Sequence, residues 1–253
     1  MKKTIFLFIV SAFILFPSCK KSSTAPATMN TRVGNIYEDS NHLSTLYYYS
    51  PTYLIKGDYD DAGNFSYTYH YLNGQSAAEV QLNGMPAYSV FYIWNSRSLV
   101  DSSNILNTNG GIGIRKKYTY DANNYLTNVN WYSGTNALVM TESFTVTNGN
   151  ITQHTYNAID TSNTALPRGS YTYQYYAGMA NTLSNLYFGQ SYMGTSSTNP
   201  VKSVTYTNGS ITTVTDYTYN YSGGLITSQL VFSDSAGVPA ARVDSFAYSY
   251  YIQ

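Results

Sequence analysis

Cysteine is almost missing from this sequence: Cys19 is the only one in 253 residues. No internal disulfide can form, so an exported domain of this size must be held by its own core. Charge is sparse as well. Charged side chains make up 10% of the chain, divided evenly between 13 basic and 13 acidic. That balance offers nothing to the phosphates of a nucleic acid, and no nucleic-acid partner is expected. Histidine is limited to His42, His70 and His154, far apart and without an H-E-x-x-H or other short ligand spacing. Ala, Glu and Lys are scarce, and past the first apolar stretch no sustained period of 3.6 appears. A helical domain is excluded.

What the chain has is tyrosine, 29 residues of it. Tyr67, Tyr69 and Tyr71 alternate with Ser66, Thr68 and His70; Tyr171, Tyr173 and Tyr175 alternate with Thr172 and Gln174. The pattern returns at Tyr217, Tyr219 and Tyr221, and at Phe246, Tyr248 and Tyr250. A period of two with one aromatic face and one hydroxyl or amide face predicts half-buried antiparallel strands. Asn-Gly pairs at Asn73-Gly74, Asn83-Gly84, Asn109-Gly110, Asn148-Gly149 and Asn208-Gly209 tolerate the positive φ of tight hairpins. Two longer connections run over 157–169 and 189–200. The expected fold is all-β, an antiparallel meander of about 14 short hairpin-linked strands. A flat meander that long would expose two edges and a wide aromatic face, so it must curl into a barrel-like or two-layered sheet. Gly110-Gly111 and Gly223-Gly224 are candidate bends, and the segment from Tyr88 to Trp94, apolar on both faces, reads as a doubly covered central strand.

The first residues read as an export signal. Lys2 and Lys3 precede an apolar stretch, Ile5 to Phe16, which suits a secretory h-region and is short for a membrane span of about 20 residues. It ends at Phe16-Pro17-Ser18-Cys19, which resembles the lipobox of bacterial lipoproteins, with Phe16 in place of the usual aliphatic residue. That resemblance implies a signal peptide over 1–18 and an acylated Cys19, with each buried CH₂ contributing ~0.8 kcal/mol to anchoring. Residues 19–31 are small and polar and read as a flexible tether; 32–253 form a single Tyr-rich β domain. In similar lipoproteins acidic residues after the cysteine direct surface export. Here Lys20 and Lys21 follow instead, so the expected place is the outer membrane, lipid-anchored and facing the periplasm.

Tyr59-Asp60-Asp61-Ala62-Gly63-Asn64-Phe65 and the segment from Tyr118 to Leu126 resemble the tyrosine–aspartate repeat of Rhs-type proteins, in which Tyr-Asp-x-x-Gly-x-Leu marks each hairpin. Tyr219 to Leu225 is a looser copy, and Asn123 and Asn124 stand where the repeat has glycine. With the export signal, the chain resembles small Gram-negative envelope lipoproteins of unknown function with a porin-like β-fold. The resemblance implies a hairpin series and brings no catalytic residue with it.

Chemistry is hard to find in the remaining residues. Gly189 to Gly194 around Ser191 is one residue too long for a G-x-S-x-G elbow and follows no strand-to-helix pattern. Asp58, Asp60, Asp61 and Asn64 around Gly63 have the oxygen spacing of a calcium loop, but Tyr69 stands where an EF-hand has glutamate, and a hydrogen-bonded turn explains the same residues. Outward bands of Leu or Val, which a transmembrane barrel needs, are thin. Trp94 and Trp131 are the candidate ligand-stacking residues, for a glycan or an apolar ligand. The reading is a non-enzymatic lipoprotein with a binding or structural role, without cofactor, its partners the membrane and such a ligand. A carbohydrate-binding lipoprotein of a glycan-uptake system is the alternative. A hydrolase, with Asp or Glu meeting His70 or His154 in a cleft, is the third.

Overall fold

Strands with two unlike faces need two unlike surroundings, and a closed barrel supplies them as its inside and outside. The computed structural model describes residues 31–38, 41–48, 54–60, 65–72, 75–83, 85–107, 110–188, 190–235 and 238–252. In chain order the strands are β1 (Thr31–Glu38), β2 (Asn41–Tyr48), β3 (Ile55–Asp60), β4 (Phe65–Leu72), β5 (Gln75–Leu82), β6 (Met85–Trp94), β7 (Val100–Asn107) and β8 (Ile112–Tyr120). They continue with β9 (Leu126–Ser133), β10 (Leu138–Thr147), β11 (Asn150–Ala158), β12 (Gly169–Tyr175), β13 (Val201–Asn208), β14 (Ile211–Ser222), β15 (Leu225–Ser235) and β16 (Val238–Ile252). Each pairs antiparallel with the next, and β16 pairs with β1, Ile252 opposite Thr31. Of the two ways to curl, the chain takes the one that removes every edge. Sixteen strands exceed the expected fourteen. Segments such as β7, with no aromatic residue, lack the alternation that flags the others.

Asn148-Gly149 and Asn208-Gly209 fall at hairpin tips, and Asn148 and Gly149 both take positive φ, 51° and 76°; the other three Asn-Gly pairs lie wholly or partly outside the described residues. Gly110-Gly111 and Gly223-Gly224 are also tips, not bends in the wall. Curvature comes instead from register shifts, for example between Thr119 and Tyr120 against β9 and between Asn220 and Tyr221 against β15.

The aromatic face points inward. Leu46, Asp58, Tyr67, Val80 and Tyr88 are successive neighbours across β2 to β6 and form one inward row. Tyr118, Val129, Glu142 and Tyr156 form another across β8 to β11. The outer face is polar. Thr68, His70 and Glu79 on β4 and β5, Lys117 and Thr119 on β8, Ser143 and Thr145 on β10, and Asp216, Thr218 and Asn220 on β14 combine hydroxyl, amide and charged groups, and nearly all are exposed. The expected double covering of Tyr88 to Trp94 is therefore wrong: Phe91 and Ile93 turn outward and remain 42% and 40% exposed. The sheet is a single layer, and among the described residues nothing is packed against that side.

The connection over 176–200 enters the barrel. Leu183 and Phe188 lie buried with Val33, Leu46, Ile55, Tyr69 and Ile226, while Tyr192 is buried with Val100, Tyr118, Val129 and Phe144 on the other side. Each such side chain withdrawn from water contributes about 1.5–3 kcal/mol. Polar ties fix this plug to the wall. Val33 N–H donates to Tyr187 O at 3.0 Å, Thr195 N–H to Asn124 O at 2.8 Å and Thr198 N–H to Gly149 O at 2.9 Å. Ile151 N–H donates to Ser197 Oγ at 2.9 Å and Ile226 N–H to Thr182 Oγ1 at 2.8 Å. Because the strands alternate in direction, the plug enters at the end where Thr31 and Ile252 lie.

Candidate functional site

Among the described residues two carboxylates, Asp58 and Glu142, are buried in this aromatic lumen. Glu142 on β10 is 6% exposed and is held on both oxygens. Trp131 Nε1–H donates to Oε1, and His154 Nε2 lies 2.8 Å from Oε2. Lys116 Nζ sits 3.5 Å above the centroid of the Trp131 ring, a cation–π contact. Burial lowers the Lys116 ammonium to about 8, against the opposing pull of the Glu142 charge. The His154 ring is stacked on Phe144 with centroids 4.2 Å apart and touches Tyr156 at 4.3 Å. Its Nδ1 has no hydrogen-bond partner among the described residues. With rings against the imidazole and both carboxylate oxygens engaged, the pair has the character of a packed polar core.

Asp58 on β3 is equally buried, at 6%, but differently surrounded. Ser44 Oγ–H donates to its Oδ1, and its neighbours across the sheet are Leu46 and Tyr67. Beside it lies a cavity of about 90 Å³ lined by Tyr67, Tyr69, Ala78, Tyr92 and, from the plug, Phe188 and Tyr192. Gln190 Nε2–H of the plug donates to Tyr69 Oη at 3.3 Å. Burial is the main reason the hydroxyls of Tyr67 and Tyr69 resist ionisation, with the Asp58 charge adding to it; burial, with a smaller contribution from Tyr88, pushes Tyr92 up to about 12.

The residues singled out from sequence fall on both sides of the wall. Trp94 faces inward, stacked on Tyr192 with centroids 5.3 Å apart, and its Nε1–H donates to Ser76 Oγ at 3.2 Å. Trp131 belongs to the Glu142 cluster. The two tryptophans are not brought together on an outer surface. His70 is exposed, 3.9 Å from Glu79. His154 is 1% exposed and points inward. It shares the parity of Tyr156, the signal that would have placed it. Ser191 lies in a short 3-10 turn of the plug. Asp58 points into the lumen, while residues 61–64 of the candidate calcium turn and Cys19 lie outside the described residues, as do the side chains of Asp60 and His42.

A closed sixteen-strand barrel, aromatic within, hydroxylated without and filled by its own loop, is the class of protein that this geometry defines. Among solved structures the chain is similar to a porin-like protein from Bacteroides uniformis ATCC 8492, with a TM-score of 0.66 and 15% identity over 90% of this chain and 100% of that one. It is also similar to a porin-like protein from Bacteroides vulgatus ATCC 8482, with a TM-score of 0.55 and 12% identity over 86% of this chain and 98% of that one. At such identity the likeness shows the fold, which is porin-like. No protein-family model and no curated protein matches the sequence.

Proposed function

We propose that this chain is an envelope lipoprotein, acylated at Cys19, whose barrel stands in water beside the outer membrane and has a non-enzymatic binding role. The observation that carries this reading is the polarity of the wall. A membrane-spanning barrel turns an apolar band outward and keeps a polar interior. Here exposed Glu79, Lys117 and Asp216 lie on the outside and the rings lie inside. A Lys at the bilayer midplane alone costs about 2–4 kcal/mol. The plug and the inward tyrosines fill the space through which a porin would conduct. The described chain begins at the plug end, and a tether over 19–31 would reach about 40 Å at full extension, which keeps that end close to the bilayer. Lys20 and Lys21 support the periplasmic face. Inward-turned Trp94 and Trp131 give a glycan-stacking role no added support.

Two measurements test the reading. A labelled fatty acid is expected to enter the wild type and not Cys19→Ser. Purified protein added to a planar bilayer is expected to give no conductance steps. Label in both forms would overturn the anchor, and stepwise conductance would overturn the water-facing barrel.

A further inference from the structure

We propose that the inner wall at the mouth opposite the plug binds the pyranose ring of a neutral glycan, stacked on Tyr206 over Thr213 and Thr215. The inference rests on the binding role proposed above and gives it a ligand class and a place, but it does not depend on the anchor. It starts from a row of rings that stops. Phe144, His154, Tyr171, Tyr206 and Thr213 are successive neighbours across β10 to β14. The four rings stack side by side, with successive centroids 4.2, 5.8 and 4.8 Å apart. Tyr206 is pinned at its far end, where its Oη–H donates to Arg168 O at 2.8 Å. Beyond it the wall turns small. Thr213, and in the next row Thr215 opposite Ser233, put short hydroxylated side chains on the same inner face. The stack therefore ends on a low shelf of hydroxyls.

Water reaches this shelf. Tyr171, Tyr206, Thr213, Thr215 and Ser233 turn inward yet are only half-buried, and Ile211, on the same face at the lip, is 61% exposed. β13 ends and β14 begins at this mouth, whereas the plug enters the other. Among the described residues no hydrogen bond engages the hydroxyls of Tyr171, Thr213, Thr215 or Ser233. A ring face beside such hydroxyls suits a sugar, since a pyranose carries C–H groups on one face and hydroxyls around its rim. Asp244, opposite Val231 in the following row, adds a carboxylate acceptor at the shelf's margin. Other ligand classes fit less well. A planar aromatic or a lipid chain would extend the stack but leave the hydroxyls against carbon. An anion would meet Asp244. A cation would have one ring face, where an aromatic cage surrounds it with several.

The test titrates methyl β-glucoside, methyl β-galactoside and methyl β-mannoside in turn into the full-length protein. Calorimetry and the ring signals of Tyr206 report binding, with p-cresol as the planar control. Saturable binding in the millimolar range is expected for at least one pyranoside, and weaker binding for p-cresol. Tyr206→Leu should weaken the best pyranoside about tenfold and Thr213→Val about fivefold. Thr213→Phe, which puts a ring in the sugar's place, should abolish binding, while Phe91→Ala on the outer wall leaves it unchanged. Near-UV circular dichroism reports whether each variant keeps its packed aromatics; should one unfold, the comparison of pyranosides with p-cresol on the wild type decides alone. Absence of saturation with all three sugars, tighter binding of p-cresol, or undiminished binding in folded Thr213→Phe would each overturn the site. Such a result alongside normal acylation of Cys19 would remove the sugar site and leave the anchor standing.

Discussion

The lumen poses one problem twice. Asp58 and Glu142 are both carboxylates withdrawn from water into a ring of tyrosines, and the barrel treats them differently. Around Glu142 the protein supplies everything itself: a tryptophan N–H, a histidine and a lysine, with stacked rings closing the gaps. Beside Asp58, which accepts from a serine hydroxyl, it leaves a hollow over Ala78. A filled polar cluster specifies and rigidifies a core, whereas a polar group bordering open space in a wall of rings is how ligand sites are built. The contrast separates an acid locked into a packed cluster from an acid beside free space.

The largest expected effect tests the filled side. Glu142→Ala removes one acid and strands three groups, so it should destabilise the protein by about 3–5 kcal/mol in urea unfolding. Asp58→Asn keeps an acceptor for Ser44 and removes one charge, so its effect should stay near 1 kcal/mol. Equal losses at the two positions would break the comparison.

How far the sequence foretold this differs by level. The alternation of tyrosine with threonine and the Asn-Gly turns were sufficient to read an all-β meander, because a period of two is local and survives any tertiary arrangement. Closure was not legible: the pairing of β1 with β16 joins residues more than two hundred positions apart. The plug was hidden for a related reason. Residues 176–200 have no periodicity, and only a lumen of the right size makes Leu183, Phe188 and Tyr192 core residues. Lys116 and Glu142 were readable in principle, since they share parity with Tyr118 and with Phe144. Asp58 was not, because no aromatic of its own strand shares its parity and only its pairing with Tyr67 reveals the direction.

A second, intermediate effect sharpens the contrast through pH. Burial lowers Lys116 from 10.5 to about 8, so between those values the unfolded chain holds a proton that the folded chain has released. Stability therefore rises with pH across that window, by up to ~1.4 kcal/mol per unit for this group. The wild type should gain on Lys116→Met from pH 8 to 10, and Asp58→Asn should run parallel to the wild type. Above pH 10 the sign reverses, since burial holds Tyr69, Tyr118 and Tyr192 protonated in the folded state while the unfolded chain ionises. Equal slopes for wild type and Lys116→Met would mean that the lysine is not desolvated.

The smallest expected effect asks about space alone, without touching a charge. Ala78 and Val129 are both 2% exposed and both inward, one over the hollow and one in the Glu142 row. Ala78→Val adds carbon where room exists, so the lining gains contacts it now lacks, and stability should rise by about 0.5–1 kcal/mol. Val129→Leu adds a single methylene where Tyr118 and Glu142 already press from either side. Neighbours there must leave their rotamers, and a loss of about 1 kcal/mol should follow. Opposite signs at two equally buried positions in one barrel would show that the hollow is real free volume. If Ala78→Val instead destabilised like Val129→Leu, the hollow would be closed by side-chain movement in solution.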